Sequence, residues 1–404
     1  MTDIITNYIQ GQTLKETSGS YQDVFNPATG SVCGQVCMST ADDVDQAVRV
    51  ATEAAREWGV TPVSKRSQVM FRFKRLLEEN SDELARTISR EHGKTHDDAL
   101  GEVVRGLEVV EFACGIPQLM KGTFSEQVAS GIDVYSFPQS LGVVAGITPF
   151  NFPAMVPMWM YPNALVCGNA FLLKPSERDP SASLFMADLL KQAGLPDGVF
   201  NVVQGGKGAV DAILDHPGIS AVSFVGSTPV AKYIYTRGTS NGKRVQALGG
   251  AKNHMVILPD ADMDQVTDAL MGSAFGSAGE RCMAISVAVP VGDQAADKLI
   301  DRMTPIVREL RVGPPDDRKA AMGALITRDS LKRIEGLIQS GVDQGAKLLV
   351  DGRGYKVPGY ENGFFLGGTL FDRVKPEMDI YKEEVFGPVL STVRAKDYEE
   401  ALSL

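Results

Sequence analysis

The sequence is poor in the residues that disulfide scaffolds and metal sites rely on. Its 404 residues hold five cysteines and four histidines. Cys33, Cys37, Cys114, Cys167 and Cys282 are odd in number and scattered over a long chain. They form no disulfide framework, and a reducing compartment is the simpler reading. Cys33 and Cys37 stand four apart in a stretch that reads as strand or hairpin, with no second Cys or His pair close by, so part-buried structural thiols fit better than zinc. A positive surplus is lacking too: 40 Lys and Arg face 50 Asp and Glu, a formal net charge of -10. That argues against nucleic acid or an anionic membrane as the main partner. A local pair of arginines can still outweigh the global field for a small anion at contact distance.

The N-terminus, MTDIITNYIQGQ, has no basic segment leading into an apolar one and is no Arg-rich amphipathic presequence. We therefore expect a cytosolic protein. From Ser140 to Leu173 there is no charged residue at all, which is long enough for a bilayer. Pro149, Pro153, Pro157 and Pro162 would interrupt a membrane helix repeatedly. A buried strand, a loop and a helix start fit that segment better. The usual G-x-G-x-x-G dinucleotide fingerprint is missing; Gly205-Gly206-Lys207-Gly208 does not match it and reads as a turn.

What is present is ordinary globular material, 44% hydrophobic and 22% charged, in a chain long enough for two or more domains. The first part reads as helical. Thr40 with Asp43 resembles a capping box, followed by Val44, Ala47, Val48 and Ala51 at helical spacing. Helical periodicity returns over 63–79 and over 97–120, the latter with Leu100, Val103, Val104, Leu107 and Val110 on one face. Residues 132–137 read as an extended arm or hairpin. From Leu141 onward short apolar runs (143–147, 171–173, 199–203, 221–225, 255–258) alternate with helix-length amphipathic stretches. That rhythm implies a mainly parallel sheet with helices on both faces. A second α/β unit is expected after Lys252, with a helix over 262–275, a loop at Cys282, a strand over 285–291 and helices near 294–310 and 330–340. The chain stops at Leu404 inside a helix start.

The best single chemical signal is Gly279-Glu280-Arg281-Cys282. A glycine-flanked cysteine between a helix and a strand, beside an arginine, is placed to be a reactive thiolate, since nearby positive charge lowers a thiol's pKa. Alone the signal is weak, because most lone cysteines are inert small hydrophobes. Its company strengthens it. Thr148-Pro149-Phe150-Asn151-Phe152-Pro153, Lys174-Pro175-Ser176-Glu177, Phe224-Val225-Gly226-Ser227-Thr228, Leu248-Gly249-Gly250-Ala251-Lys252 and Glu383-Glu384-Val385-Phe386-Gly387-Pro388 follow in this order. Together they resemble the aldehyde dehydrogenase superfamily over essentially the whole chain. Within it, GERCMA and ALGGAKNH are similar to the CoA-acylating methylmalonate-semialdehyde dehydrogenases.

The resemblance implies an α/β protein of aldehyde dehydrogenase type. Residues 1–121 and 142–250 would form a Rossmann-type NAD-binding domain, 122–141 a bridging arm, and 251–404 a catalytic domain that is incomplete at its C-terminus. Cys282 would attack the aldehyde, and Asn151 would donate to the oxyanion together with the Cys282 N–H. Collapse would send hydride to the nicotinamide and leave a thioester. Lys174 and Glu177 would hold the adenosine ribose, a carboxylate there favouring NAD over NADP, although Arg178 could receive a 2′-phosphate. Thr148, Phe150, Gly226, Ser227 and Gly249 are carried over as cofactor contacts. Gly226 and Ser227 would set backbone N–H groups against the pyrophosphate, Glu384 would take the nicotinamide ribose, and Phe386 would pack beside it. His254 is given no role.

One departure from the family pattern decides the expected acyl acceptor. Hydrolytic members carry a glutamate before the LGGK-like glycines to activate water. That position falls on Leu248 here, and neither neighbouring Ala247 nor Gln246 is a base. Water attack should then be slow, whereas a thiol such as coenzyme A does without the base. Arg105 and Arg281 match positions that hold the substrate carboxylate, which suits a short 3-oxo acid. On helix pattern alone Arg105 reads as a solvated helix-face residue. The resemblance also implies a homo-oligomer, dimer or tetramer, acting on a small molecule. The readings held beside this one are a hydrolytic aldehyde dehydrogenase and a truncated chain that binds NAD without turnover.

Overall fold

The structure is a computed structural model describing residues 3–15 and 19–404. The chain divides into two units: Met1–Val24, Val32–Ile88 and Leu100–Gly249 form the first, and Phe25–Ser31, Ser89–Ala99 and Gly250–Leu404 the second.

The first unit is built on a seven-stranded sheet. Its strands run in the spatial order Arg244–Leu248, Ile219–Val225, Val143–Ile147, Ala170–Lys174, Phe200–Val202, Tyr8–Ile9, Gln12–Thr13. The first five are parallel and Tyr8–Ile9 joins them antiparallel. Four of the five match apolar runs, whereas Arg244–Leu248 is not among those runs and the run at 255–258 belongs to the second unit's sheet. Among the parallel strands the chain starts in the middle at Val143–Ile147, runs outward to one side, and returns to Ile219–Val225 on the other. That makes a topological switch point between these two strands, where open α/β sheets take their ligands.

One face of the sheet is closed by the helices Ala41–Val60, Lys207–Asp215 and Thr228–Ser240. They pack Val44, Ala47, Val48, Ile213, Leu214 and Ile234 onto Val143, Ala145, Leu172 and Val222. The first of these helices starts as expected, with the Thr40 N–H donating to the Asp43 carboxylate at 2.8 Å. On the other face an aromatic cluster joins Phe73, Tyr161, Phe171 and Phe200, with ring centroids 5.0–6.2 Å apart. The charge-free segment supplies the central strand and the helix Met155–Val166, which carries Pro162 in its interior and buries eight of its residues. Among the described residues no helix is long and apolar enough to cross a membrane.

Several expectations need correction. The first part is not simply helical: five short strands between Asp3 and Met38 precede the first helix. The helix expected over 97–120 ends at Cys114, and a separate turn Ile116–Leu119 follows. Pro117, which has no N–H to continue the helix ladder, explains the break. Val104 is exposed, because the buried face of that helix runs through Ala99, Glu102, Val103, Val110 and Ala113. A helix at Ser81–His92 went unread. Gly206 is the cap of the helix Lys207–Asp215, so the glycine run is a helix start and not merely a turn. Thr123–Ala129 and Ile132–Ser136 form an antiparallel hairpin whose residues are all exposed.

The second unit centres on five strands in the order Asn253–Ile257, Ile285–Pro290, Val389–Thr392, Thr369–Asp372, Lys347–Val350. The first four are parallel and the last antiparallel. The helices Asp293–Arg308 and Arg328–Asp343 match the expected ones, burying Leu299, Met303, Ile334 and Ile338 in this unit's core. The helix that starts at Asp262 is regular only over Met263–Leu270; Met271–Phe275 is a π-turn. Such turns mark places where local geometry departs from the standard helix.

Candidate active site

In the first unit the loops at the switch point carry the expected cofactor residues. Thr148 follows the central strand directly. Its N–H donates to the Lys174 carbonyl at 3.1 Å, and its buried hydroxyl has no hydrogen-bond partner among the described residues. A buried hydroxyl is satisfied at little cost by a bound polar ligand. Gly226 and Ser227 lead into the helix Thr228–Ser240, whose amide dipoles turn their positive end toward this loop. The Gly226 N–H itself is committed to the Leu248 carbonyl at 3.1 Å, so it is not a free anion donor. A Cβ on Gly249 would come within 3.0 Å of the Thr228 hydroxyl, which places Gly249 against the start of the same helix.

Lys174 ends its strand fully buried. Its Nζ donates to the Gly205 carbonyl at 2.8 Å and meets Glu177 at 3.3 Å. Burial pulls the Lys174 pKa down, with Glu177 and Asp179 opposing. Burial alone would raise Glu177, but Lys174, its own backbone N–H and Arg178 hold it below the usual carboxylate range. Glu177 is thus an anionic acceptor beside a cation. Arg178 lies 5.1 Å from the centre of the Phe150 ring, a cation–π contact.

Asn151 is buried just before the helix Met155–Val166. The start of that helix is held by Glu102, a fully buried carboxylate accepting the Ala154 and Met155 N–H groups at 2.8 and 3.1 Å. Arg105 is half-buried and not a free surface residue: its guanidinium stacks 5.5 Å from the Phe152 ring centre, and its Nε lies 3.3 Å from the Met155 sulfur. Strand alternation turns Val245 and Ala247 into the core, while Gln246 and Leu248 face an open cavity of about 630 Å³ with Trp159 and Met160. Gln246 accepts a hydrogen bond from Ser223. None of Gln246, Ala247 and Leu248 offers a base.

In the second unit the π-turn is followed by three residues in the left-handed region: Ser277 (φ 53°), Ala278 (φ 54°) and Gly279 (φ 69°). For the two non-glycines that conformation costs about 1–3 kcal/mol each, and neighbouring contacts hold it. Asp98 accepts the Ser277 N–H at 3.0 Å and pairs closely with the Arg281 guanidinium. Glu280, fully buried, accepts the Ile326 N–H at 3.2 Å. Gly279 lies so near the Gly387 carbonyl that a Cβ there would stand 2.2 Å from the oxygen.

Cys282 lines a narrow cleft with Asn253, Arg281, Glu384 and Phe386. Its thiol does not behave as the sequence suggests. Burial pushes it up and Glu384 adds to that, while the backbone N–H groups of Cys282 and Met283 pull it down. Arg281 turns its charge to Asp98, and its buried Nε has no partner among the described residues. Consecutive side chains diverge, and a carboxylate at contact captures the guanidinium.

Asn253 donates from its amide to the carbonyls of Cys282 at 2.9 Å and Ala284 at 3.0 Å. Lys252 donates to the carbonyls of Ile380 at 2.8 Å and Glu383 at 2.7 Å, and the Ala251 N–H reaches Glu384 at 3.4 Å. Glu384 is raised by burial, with Ala251, Lys252 and Arg333 opposing. Phe386 adopts φ 51°. His254 bonds Tyr381 and the Lys252 carbonyl, a supporting arrangement.

Sequence reading missed Glu102, Asp98 and Asn253. Two of them had a signal. Glu102 is an acid on the apolar face of a helix, and Asp98 stands three residues after Thr95, whose hydroxyl accepts the Asp98 N–H and donates to the Asp98 carboxylate, both at 3.2 Å.

Comparison with known proteins supplies the context. The aldehyde dehydrogenase family model matches residues 14–404. A malonate-semialdehyde dehydrogenase of Pseudomonas aeruginosa is 56% identical over 98% of this chain and 80% of its own length. An acylating, mitochondrial methylmalonate-semialdehyde dehydrogenase of Arabidopsis thaliana is 48% identical over 99% of this chain and 66% of its own. A solved structure from Sinorhizobium meliloti 1021, complexed with NAD and provisionally assigned as a methylmalonate-semialdehyde dehydrogenase, superposes with a TM-score of 0.99. It is 57% identical and covers 100% of this chain and 82% of that one.

Proposed function

Because this chain belongs to the aldehyde dehydrogenase family, we propose that it oxidises malonate semialdehyde or methylmalonate semialdehyde with NAD and passes the acyl group to coenzyme A. The observation that carries the acyl-transfer part is the carboxylate-free segment Gln246-Ala247-Leu248, joined to a cysteine nucleophile held in a preformed loop.

In this reading the Cys282 thiolate adds to the aldehyde carbon and forms a thiohemiacetal. The Cys282 N–H and the Asn151 amide stabilise its oxyanion. NAD, when bound, supplies the hydride acceptor for that carbon. Thr148, Lys174, Glu177 and the helix behind Gly226-Ser227 would hold it in the first unit, with Phe150, Arg178 and Gly249 beside them, and Glu384 with Phe386 in the second. Thr148's unsatisfied buried hydroxyl and the anionic Glu177 fit a ribose-bearing ligand with free hydroxyls. Arg281 and Arg105 would hold the substrate carboxylate, Arg281 from a guanidinium that is oriented by its ion pair with Asp98.

The product of oxidation is a thioester on Cys282 bearing a β-carboxylate. Carbon dioxide leaves with its bonding electrons passing into a thioester enolate, which takes up a proton. The coenzyme A thiol then attacks, giving acetyl-CoA from the malonate form and propionyl-CoA from the methylmalonate form, and Cys282 is released. The same reading holds the protein to be cytosolic and a homo-oligomer, dimer or tetramer. The exposed Phe124, Val128, Ile132, Val134 and Tyr135 of the hairpin support association.

The test is intact mass and peptide mapping after one turnover without coenzyme A. An acyl adduct on Cys282 that disappears when coenzyme A is added supports the reading. Free acid with no adduct returns the protein to the hydrolytic class.

A further inference from the structure

We propose that Ala251-Lys252-Asn253 is a single positioning clamp, in which Asn253 sets the backbone of the nucleophile loop and Lys252 sets the loop that carries Glu384. This deepens the functional reading above and rests on Cys282 being the nucleophile.

The clamp arises from an irregularity in the ladder. The strands Asn253–Ile257 and Ile285–Pro290 are parallel, but their register shifts between Asn253 and His254. At that point the Asn253 side chain supplies the donors: its one amide group bonds the carbonyls of both Cys282 and Ala284. A planar NH₂ group with both hydrogens engaged has little rotational freedom, so it fixes two peptide planes at once. The first of these planes carries the Met283 N–H, one of the two backbone donors that stabilise the Cys282 thiolate. Losing the grip on the carbonyl releases the donor on the same peptide. Asn253 therefore acts on the thiol through a peptide plane, without touching it.

Lys252, the residue before, faces the other loop. Its ammonium bridges the carbonyls of Ile380 and Glu383, while the Ala251 N–H takes the Glu384 carboxylate. Arg333 holds the same loop from its other side, reaching the carbonyls of Glu384 at 3.5 Å and Val385 at 2.6 Å. Three consecutive residues thus fix a nucleophile and a ribose-binding carboxylate with respect to one strand end. A displacement of about 1 Å at such a site costs on the order of 10²-fold in rate.

A purely structural role would lower stability and reduce every kinetic parameter together, whereas a clamp separates them. The experiment compares wild type with Asn253→Ala, Asn253→Ser, Lys252→Met, Lys252→Arg and Cys282→Ala. It reads iodoacetamide alkylation of the Cys282 peptide against pH, together with kcat, KM for NAD and Tm. For Asn253→Ala the alkylation midpoint should rise by about one pH unit and kcat should fall on the order of 10²-fold, with KM for NAD unchanged. For Lys252→Met the KM for NAD should rise about tenfold with the alkylation profile unchanged, and Lys252→Arg should restore it. If Asn253→Ala does not fold, Asn253→Ser, which keeps one donor, should show a smaller rise of the same sign.

Alkylation and kcat of wild-type character in the Asn253 variants, with Cys282→Ala inactive, overturn the clamp alone. Parallel loss of all parameters in step with Tm overturns it too. Turnover by Cys282→Ala overturns the functional reading and the clamp with it.

Discussion

Glu102 offers the sharpest quantitative test of how the first unit is built. Its carboxylate is fully buried and accepts two N–H groups, from Ala154 and Met155, at the start of the helix that follows Asn151. Hydrogen bonds to a charged acceptor contribute about 1.5–3 kcal/mol each, and a carboxylate at a helix N-terminus adds roughly 0.3–1 kcal/mol. Replacing Glu102 by Ala also leaves both N–H groups buried and unsatisfied, so a loss of about 4 kcal/mol is expected. Glu102→Gln keeps an oxygen of similar reach and should lose only about 1–2 kcal/mol. At roughly 2–4 °C per kcal/mol for a unit of this size, Tm should fall by about 8–16 °C in the first variant and about 2–8 °C in the second. Calorimetry measures both, and hydrogen exchange at Ala154 and Met155 localises the effect. Equal losses in the two variants, or an unchanged Tm in Glu102→Ala, would refute the reasoning that the carboxylate caps this helix.

Asp98→Ala should release both Arg281 and the Ser277 turn; kcat/KM for a semialdehyde bearing a carboxylate should drop at least about tenfold more than for an uncharged aldehyde, and equal drops would leave Asp98 with the loop alone. The Lys252 pKa is lowered to about 8 by burial, against the pull of Glu384 and Glu383. Between pH 8 and about 10.4, the unperturbed lysine value, the unfolded chain therefore binds more protons than the folded one. Wild-type stability should rise across that window relative to Lys252→Met, by at most about 1.4 kcal/mol per pH unit, and a falling difference in denaturant titrations would contradict it. Glu177→Ala removes the acceptor expected for the ribose while leaving Arg178 in place; the ratio of kcat/KM for NAD over NADP should shrink, and an unchanged ratio would detach Glu177 from cofactor choice.

Much of this fold could be read from short-range patterns. Apolar runs bounded by turns located four of the five parallel strands of the first sheet, because a strand buried on both faces needs an unbroken run such as Val143–Ile147, whereas the half-exposed edge strand Arg244–Leu248 has none. The charge-free stretch resolved into a strand, a loop holding Pro149 and Pro153, and a buried helix that runs on through Pro157 and Pro162. What short-range patterns do not carry is pairing at a distance. Asp98 and Arg281 stand 183 residues apart, and nothing local says that the arginine beside the cysteine spends its charge there. Hence the thiol was expected to be lowered by Arg281, whereas burial raises it and backbone N–H groups do the opposing. Asn253 was invisible for the same reason: its importance lies in a register shift against a strand some thirty residues on. In the left-handed run the first two positions, Ser277 and Ala278, are not glycine, and the glycines on either side do not announce them. Asp98 and Glu280 impose that conformation by tertiary contact, which propensity does not record.

The most direct test of the central claim is NADH formation from malonate semialdehyde, with and without coenzyme A, in the wild type and Cys282→Ala. Turnover that depends on coenzyme A, yields acetyl-CoA and vanishes in the variant is the expected result. Turnover indifferent to coenzyme A, with a free acid as product, would contradict the argument from Gln246, Ala247 and Leu248.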